Sequence, residues 1–316
     1  MGLSMIRELA ESFPQLYLAP GEEGAQLYPD VVLRGKLPEN RELIHFHGSD
    51  MDNWRMVETP AGEVRVVTLG DRSDFIAFLQ IMGSRCNPEP IPPTQGAVLI
   101  DGLINRGKID QHKVDFYQAA KEEGRQEPDL FEWIEEYNRF TADKRNYTES
   151  MIVLSVGPYS GTPVEAVNEV LKNTGLESDK DSLQGKAEGL HAQRAGMSPE
   201  DWLGFSQTIR LYHECAHFVC RRLFPDKIHA VKDELVADAV GIYAAFGCFI
   251  RELSELFLGI RDGRYIGGRL ENYTDDPNAL LPMIDEVLSC LEAAAKKQES
   301  LPPLEFAVYL EEAVLS

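Results

Sequence analysis

The chain has 316 residues, 43% hydrophobic and 26% charged, which is enough for one large folded domain or two modest ones and excludes general disorder. A formal net charge of −21, with no Lys/Arg run to form a basic patch, argues against nucleic acid or an anionic membrane as partner. Residues 1–20 lack a basic n-region and an apolar h-region, and no stretch nears the roughly 20 apolar residues of a membrane span, so a cytoplasmic protein is expected.

In chain order, apolar or alternating runs at Val31–Leu33, Glu63–Leu69, Ala97–Ile100 and Met151–Val156 read as strands. Helical patterns lie at Arg72–Ile81, Lys113–Glu123, Pro128–Phe140 and Pro163–Lys172. His45 and His47 alternate in a strand-like IHFH and share one face; with no third ligand in view they read as a surface pair. Residues 173–197 are polar with four glycines and read as a long loop. From Ser198 onward the pattern is almost wholly helical, at 199–223, 230–260, 277–297 and 303–314. The expected fold is therefore α+β (or α/β): an α/β region over 1–175 forming sheet and cleft wall, a polar loop over 176–197, and a helical metal-binding region over 198–316. Five cysteines (Cys86, Cys215, Cys220, Cys248, Cys290) form no CxxC pair and suggest neither a disulfide framework nor a thiolate zinc knuckle.

The chemistry concentrates after Ser198-Pro199-Glu200-Asp201, a helix start with a Ser N-cap, Pro at the first position and acidic residues at the positive end of the dipole. Trp202, Phe205, Ile209, Tyr212, Ala216, Val219 and Leu223 follow at steps of three and four as one apolar stripe. Beside that stripe runs His213-Glu214-Cys215-Ala216-His217, an HExxH sequence whose histidines lie on one helical face, one turn apart. Glu214, about 100° around the helix from His213, can lean over the same ion without ligating it, as a general base must. Zinc with three protein ligands keeps a position for water and acidifies it.

A third ligand is expected from Asp233-Glu234-Leu235-Val236-Ala237-Asp238. His217 stands about six residues before the first helix ends, and Glu234 about six residues into the next, counted from Ile228. An antiparallel hairpin closed by the turn Phe224–Lys227 would bring the two level, and Gly241 and Ala245 would let the helices approach closely. In the bland alternative, Glu234 and Asp238 merely complement the dipole of the second helix.

These residues resemble the gluzincin zinc peptidases, which pair HExxH with a Glu on a downstream helix. The likeness is sharpest to the subgroup with an ExxAD sequence, which includes the prenyl-protein and heat-shock membrane peptidases. The resemblance implies a zincin-like helical region in which Glu234 ligates zinc and Asp238 bonds a ligand histidine. It covers only about residues 210–240, and the chain departs from that subgroup in lacking transmembrane helices and in a shorter interval from His217 to Glu234. The HEC..H, DEL.AD and GRLENY segments also resemble an uncharacterised bacterial group, which implies a shared fold and no known activity.

Other residues stand as lesser candidates. His229 is a rival third ligand or a donor to substrate, although a polar turn residue is the simpler reading. Tyr273, or Arg269, would stabilise the oxyanion that develops as water attacks a carbonyl. One of two strands, Ala97–Ile100 or Met151–Val156, would hold extended substrate by its backbone edge. Glu188–His191 is a second ExxH and invites a di-iron bundle, but it sits in a Gly-rich loop and lacks the remaining glutamates. The expectation is a zinc-dependent metallopeptidase acting on a peptide or protein substrate. Hydrolysis of a non-peptide amide or ester, or a non-catalytic metal-binding role, is the alternative.

Overall fold

Alternating apolar residues build a four-stranded sheet in the computed structural model of the chain, which describes residues 2–175, 183–184, 186, 190–192, 196–227, 229–298 and 300–313. Its strands are β1 (Asn53–Thr59), β2 (Gly62–Leu69), β3 (Ala97–Ile104) and β4 (Thr148–Ser155), in the order β1-β2-β4-β3. β2 and β4 are parallel, in register from Arg65 opposite Met151 to Leu69 opposite Ser155. β4 is interior and buried from Ser150 to Ser155, which accounts for its unbroken apolar run; β3 is an edge strand. With a sheet in the N-terminal half and a helical C-terminal region, the fold is α+β.

Contacts divide the chain into two units, one of residues 1–55, 65–91 and 100–155, the other of 56–64, 92–99 and 156–316. The first unit buries Ile6, Phe13, Leu16, Leu69, Phe75 and Phe78 among the sheet and helices α1 (Gly2–Ser12), α2 (Glu22–Val32) and α3 (Arg72–Met82). Helices α4 (Arg106–Glu122) and α5 (Leu130–Thr141) belong to the same unit.

Two expectations fail here. Val31–Leu33 is no strand: Val31 and Val32 end α2 on its buried side, while Leu33 is 60% exposed. Three apolar residues are too few to separate a period of 2 from one of 3.6. The IHFH run is irregular, because the backbone N–H groups of His47 and Gly48 donate to the Asp74 carboxylate at 2.9 and 2.8 Å instead of to a neighbouring strand.

The second unit is organised by two long helices, α7 (Pro199–Leu223) and α8 (Ala230–Phe246), after α6 (Val164–Asn173). α7 starts with a capping box: Asp201 N–H donates to Ser198 Oγ and Ser198 N–H to the Asp201 carboxylate, both at 3.0 Å. Its apolar stripe is buried except for half-buried Tyr212 and Leu223, which is 43% exposed at the helix end. The two helices are antiparallel, since His217 meets Glu234, His213 meets Asp238 and Ile209 meets Gly241. Gly241 is required by that closeness: a Cβ there would lie 2.7 Å from the Ile209 carbonyl oxygen.

The helix expected over 230–260 is two helices. Gly247, at φ 79°, caps α8 in the left-handed region, and α9 (Arg251–Leu258) follows. α10 (Pro277–Lys297) and α11 (Pro303–Ala313) close the unit, and the Tyr243 hydroxyl donates to the carbonyls of Gln298 and Leu301 while its ring stacks on Phe306. Among the described residues, no helix is long and apolar enough to cross a membrane.

Candidate metal centre

The i,i+4 spacing on α7 puts His213 and His217 on one side of the helix, each 6% exposed, with their Nε2 atoms 3.1 Å apart. From α8, Glu234 meets both: Oε1 is 3.2 Å from His217 Nε2 and Oε2 is 3.5 Å from His213 Nε2. These three residues can hold one metal ion. The expected register of the hairpin is therefore met, although Ile228, from which it was counted, lies outside the described residues.

The other nitrogen of His213 faces a fully buried acid. His213 Nδ1 is 3.0 Å from Asp238 Oδ1, which also accepts a 2.7 Å hydrogen bond from the Tyr159 hydroxyl; Asp238 Oδ2 accepts from Arg269. Arg269 donates a second bond, of 3.1 Å, to the Tyr159 hydroxyl. An acid beside Nδ1 keeps a proton there and makes Nε2, which faces His217 and Glu234, the nitrogen that can bind a metal ion.

The electrostatics favour a cation. Burial pushes the Asp238 carboxyl up, but Arg269 and His213 more than offset this and hold it below its usual value. Burial likewise opposes charge on His213, yet Asp238 and Glu234 raise it to about 10. Glu234 is held far below the carboxylate range by the two histidines, against its own burial. Burial and the Asp238 charge push the Tyr159 hydroxyl well up, so it stays a donor. Two carboxylates thus face one guanidinium, and the negative charge it leaves unbalanced favours a proton on His213 or a metal ion in the proton's place.

Tyr159 escaped the sequence reading. It sits just past β4 in Gly157-Pro158-Tyr159-Ser160-Gly161, where Ser160 and Gly161 both have positive φ (53° and 70°). A Gly-Pro turn at the C-terminal end of a buried strand is the signal by which it could have been found. α7 fixes this turn by a row of side chains one turn apart: Trp202 Nε1 donates to the Thr162 carbonyl at 2.8 Å, and Ser206 Oγ accepts from Tyr159 N–H at 2.9 Å.

Around His213, His217 and Glu234 lies a cavity of about 390 Å³ lined by residues of the second unit, among them Glu214, Ser160, Tyr273 and the segment Gln95–Leu99. Glu214 is 8% exposed. Tyr273 lines the same cavity as Glu234, and burial together with that carboxylate pushes its hydroxyl up. Arg269, the other oxyanion candidate, is instead committed to Asp238 and Tyr159. Of the two substrate strands, β4 is interior, and only the start of edge strand β3 lines the cavity.

The remaining candidates lie elsewhere. His229 is exposed and caps α8, its ring accepting from Lys232 N–H, and it is not among the grouped ligands. Glu188 of the second ExxH lies outside the described residues, as does much of the 176–197 loop. A grouping not foreseen from sequence joins His47 to Asp71 and Asp74. Its carboxylates already serve the backbone: Asp71 caps α3, and Asp74 accepts from the N–H groups of residues 47 and 48.

Comparison with known proteins gives one family match, described as "Family of unknown function (DUF7005)", over residues 5–178 and 183–301. No curated protein and no solved structure matches the chain.

Proposed function

The chain belongs to the DUF7005 family, whose function is unknown, and we propose from the chemistry of the site that it is a zinc-dependent hydrolase of the gluzincin type, acting on peptide bonds in the cytoplasm. The observation that carries this reading is the convergence of His213, His217 and Glu234: the two Nε2 atoms are 3.1 Å apart, and each meets one Glu234 oxygen, Oε1 at 3.2 Å from His217 and Oε2 at 3.5 Å from His213. Tetrahedral zinc, with bonds of about 2.0–2.2 Å, separates neighbouring donors by about 3.3–3.6 Å, so the trio needs little movement to close on one ion. Two imidazoles and a carboxylate also suit a catalytic zinc, which keeps one position for water.

When bound, such an ion supplies Lewis acidity, lowering the pKa of water and polarising a carbonyl oxygen. Glu214, lining the same cavity, takes the proton of the attacking water and passes it to the leaving amine. Tyr273, which lines the cavity with Glu234, donates a hydrogen bond from its hydroxyl to the developing oxyanion. Asp238 and Tyr159 hold His213 in the ligating tautomer. The edge strand supports a peptide over a compact amide or ester, because an extended chain can pair with the backbone at Ala97–Leu99.

Metal analysis of protein purified without added metal is expected to find about one zinc per chain. Glu214→Ala should keep that zinc and lose turnover on a peptide library, whereas His217→Ala should lose both. Full hydrolysis by both variants would refute the assignment, and two irons or no metal would point to another chemistry.

A further inference from the structure

α7 carries an arginine that the metal centre does not use. Arg210 lies one turn before His213 and is 3% exposed. Its Nη1 donates to the Gly157 carbonyl and its Nη2 to the Pro158 carbonyl, both at 2.6 Å, so its fork closes on the turn that presents Tyr159. The guanidinium carbon stands 5.9 Å from the centre of the Tyr159 ring. Against the same guanidinium lies Gly96, the residue that leads into β3: a Cβ there would fall 2.5 Å from Arg210 Nε and 2.8 Å from Nη2. Arg210 and Gly96 both line the cavity.

We propose that Arg210 is a positioning residue that clasps three elements of the cavity together: the metal-bearing helix, the Tyr159 turn, and the segment Gln95–Leu99, whose backbone it meets at Gly96. A planar fork can bond two carbonyls while its edge packs against a backbone, which a lysine ammonium cannot do. Glycine is the residue that leaves room for it. The clasp fixes how far the edge of β3 stands from His213, so it sets where an extended substrate lies. Only this last consequence rests on the hydrolase reading.

The test is a double-mutant cycle on the full chain with Gly96→Ala, Arg210→Ala and the pair, read first by thermal midpoint and zinc content. Gly96→Ala is expected to lower the midpoint in the natural background and to have little or no further effect once Arg210 is gone, because its Cβ then has space. Should Arg210→Ala fail to fold, Arg210→Lys serves as the background, with the same relief expected. Additive effects in both backgrounds would overturn the clasp, whatever the activity. Kinetics then read its consequence: Gly96→Ala should retain its zinc and raise KM for an extended peptide about tenfold, with kcat changed less than about twofold. A loss carried by kcat, with KM unmoved, would overturn the role in placing substrate. Absence of turnover in the zinc-loaded natural protein would instead count against the hydrolase reading, and the thermal cycle would stand.

Discussion

His213 and Asp238 share a buried 3.0 Å hydrogen bond, and that bond decides which imidazole nitrogen is left to bind a metal. Asp238 is also the counter-ion of Arg269. Its removal therefore does two things. Asp238→Ala leaves a guanidinium without its buried partner, which costs about 3–5 kcal/mol of stability. It also frees the ring to take the wrong tautomer, and metal affinity should fall about 10–100-fold. Denaturant unfolding and chelator competition measure the two effects separately. An unchanged affinity would mean that Asp238 serves the fold alone.

Tyr159→Phe tests the same network from the other side. The ring stays, but Asp238 loses its 2.7 Å donor and Arg269 its second acceptor. Unsatisfied buried partners cost about 1–3 kcal/mol, so the thermal midpoint should drop by less than in Asp238→Ala. A larger loss than in Asp238→Ala would place the anchor of the network at the tyrosine.

The metal-free protein should have a stability window set by His213 and Glu234. His213 is raised from 6.5 to about 10, so its contribution is complete below pH 6.5 and is lost as pH rises through about 10. Glu234 is depressed from 4.5, so its contribution is present above pH 4.5 and is lost as pH falls toward its lowered value. The pair therefore stabilises most between these limits. A bound cation takes the place of the proton, so metal-loaded protein should lack the alkaline loss. Thermal midpoints of chelated and metal-loaded samples across pH test this, and parallel profiles would contradict it.

The motif helix was legible in the sequence because its determinants are local: a capping box, a 3.6-residue stripe and two histidines four apart. Glu234 was legible because a short turn fixes the register of an antiparallel hairpin. Tyr159, and the pairing of Arg269 with Asp238, were not, since these residues come from turns more than a hundred residues apart in sequence and meet each other and Asp238 only once the chain folds, so no period links them. Val31–Leu33 misled because three apolar residues fit either period, and Gly247 broke an expected long helix because its left-handed cap outweighs the apolar pattern on both sides.

Gly241 offers a test of the hairpin itself. A methyl group at this position meets the Ile209 carbonyl oxygen at 2.7 Å, and backbone cannot turn aside as a flexible side chain can. Gly241→Ala should force α7 and α8 apart at a cost of about 1–3 kcal/mol, beyond the small gain in helix propensity. Because Glu234 and His217 sit on these same two helices, weaker metal retention should accompany the loss. Stability equal to or above that of the natural protein would show that the helices can part without harm.

Tyr273 separates ligand support from chemistry. Its hydroxyl shares the cavity with the Glu234 carboxylate, so Tyr273→Phe removes a polar neighbour of a metal ligand and, on the hydrolase reading, the donor to the oxyanion. The first effect acts on metal affinity and the second on kcat, which for a lost oxyanion donor falls by about 10²–10³. Assays at saturating zinc remove the first effect. A variant that then regains full kcat would make Tyr273 a support for Glu234 and nothing more. A loss in kcat that persists at full zinc occupancy, with KM little changed, assigns its hydroxyl to the transition state, because an interaction made only there lowers kcat and kcat/KM together.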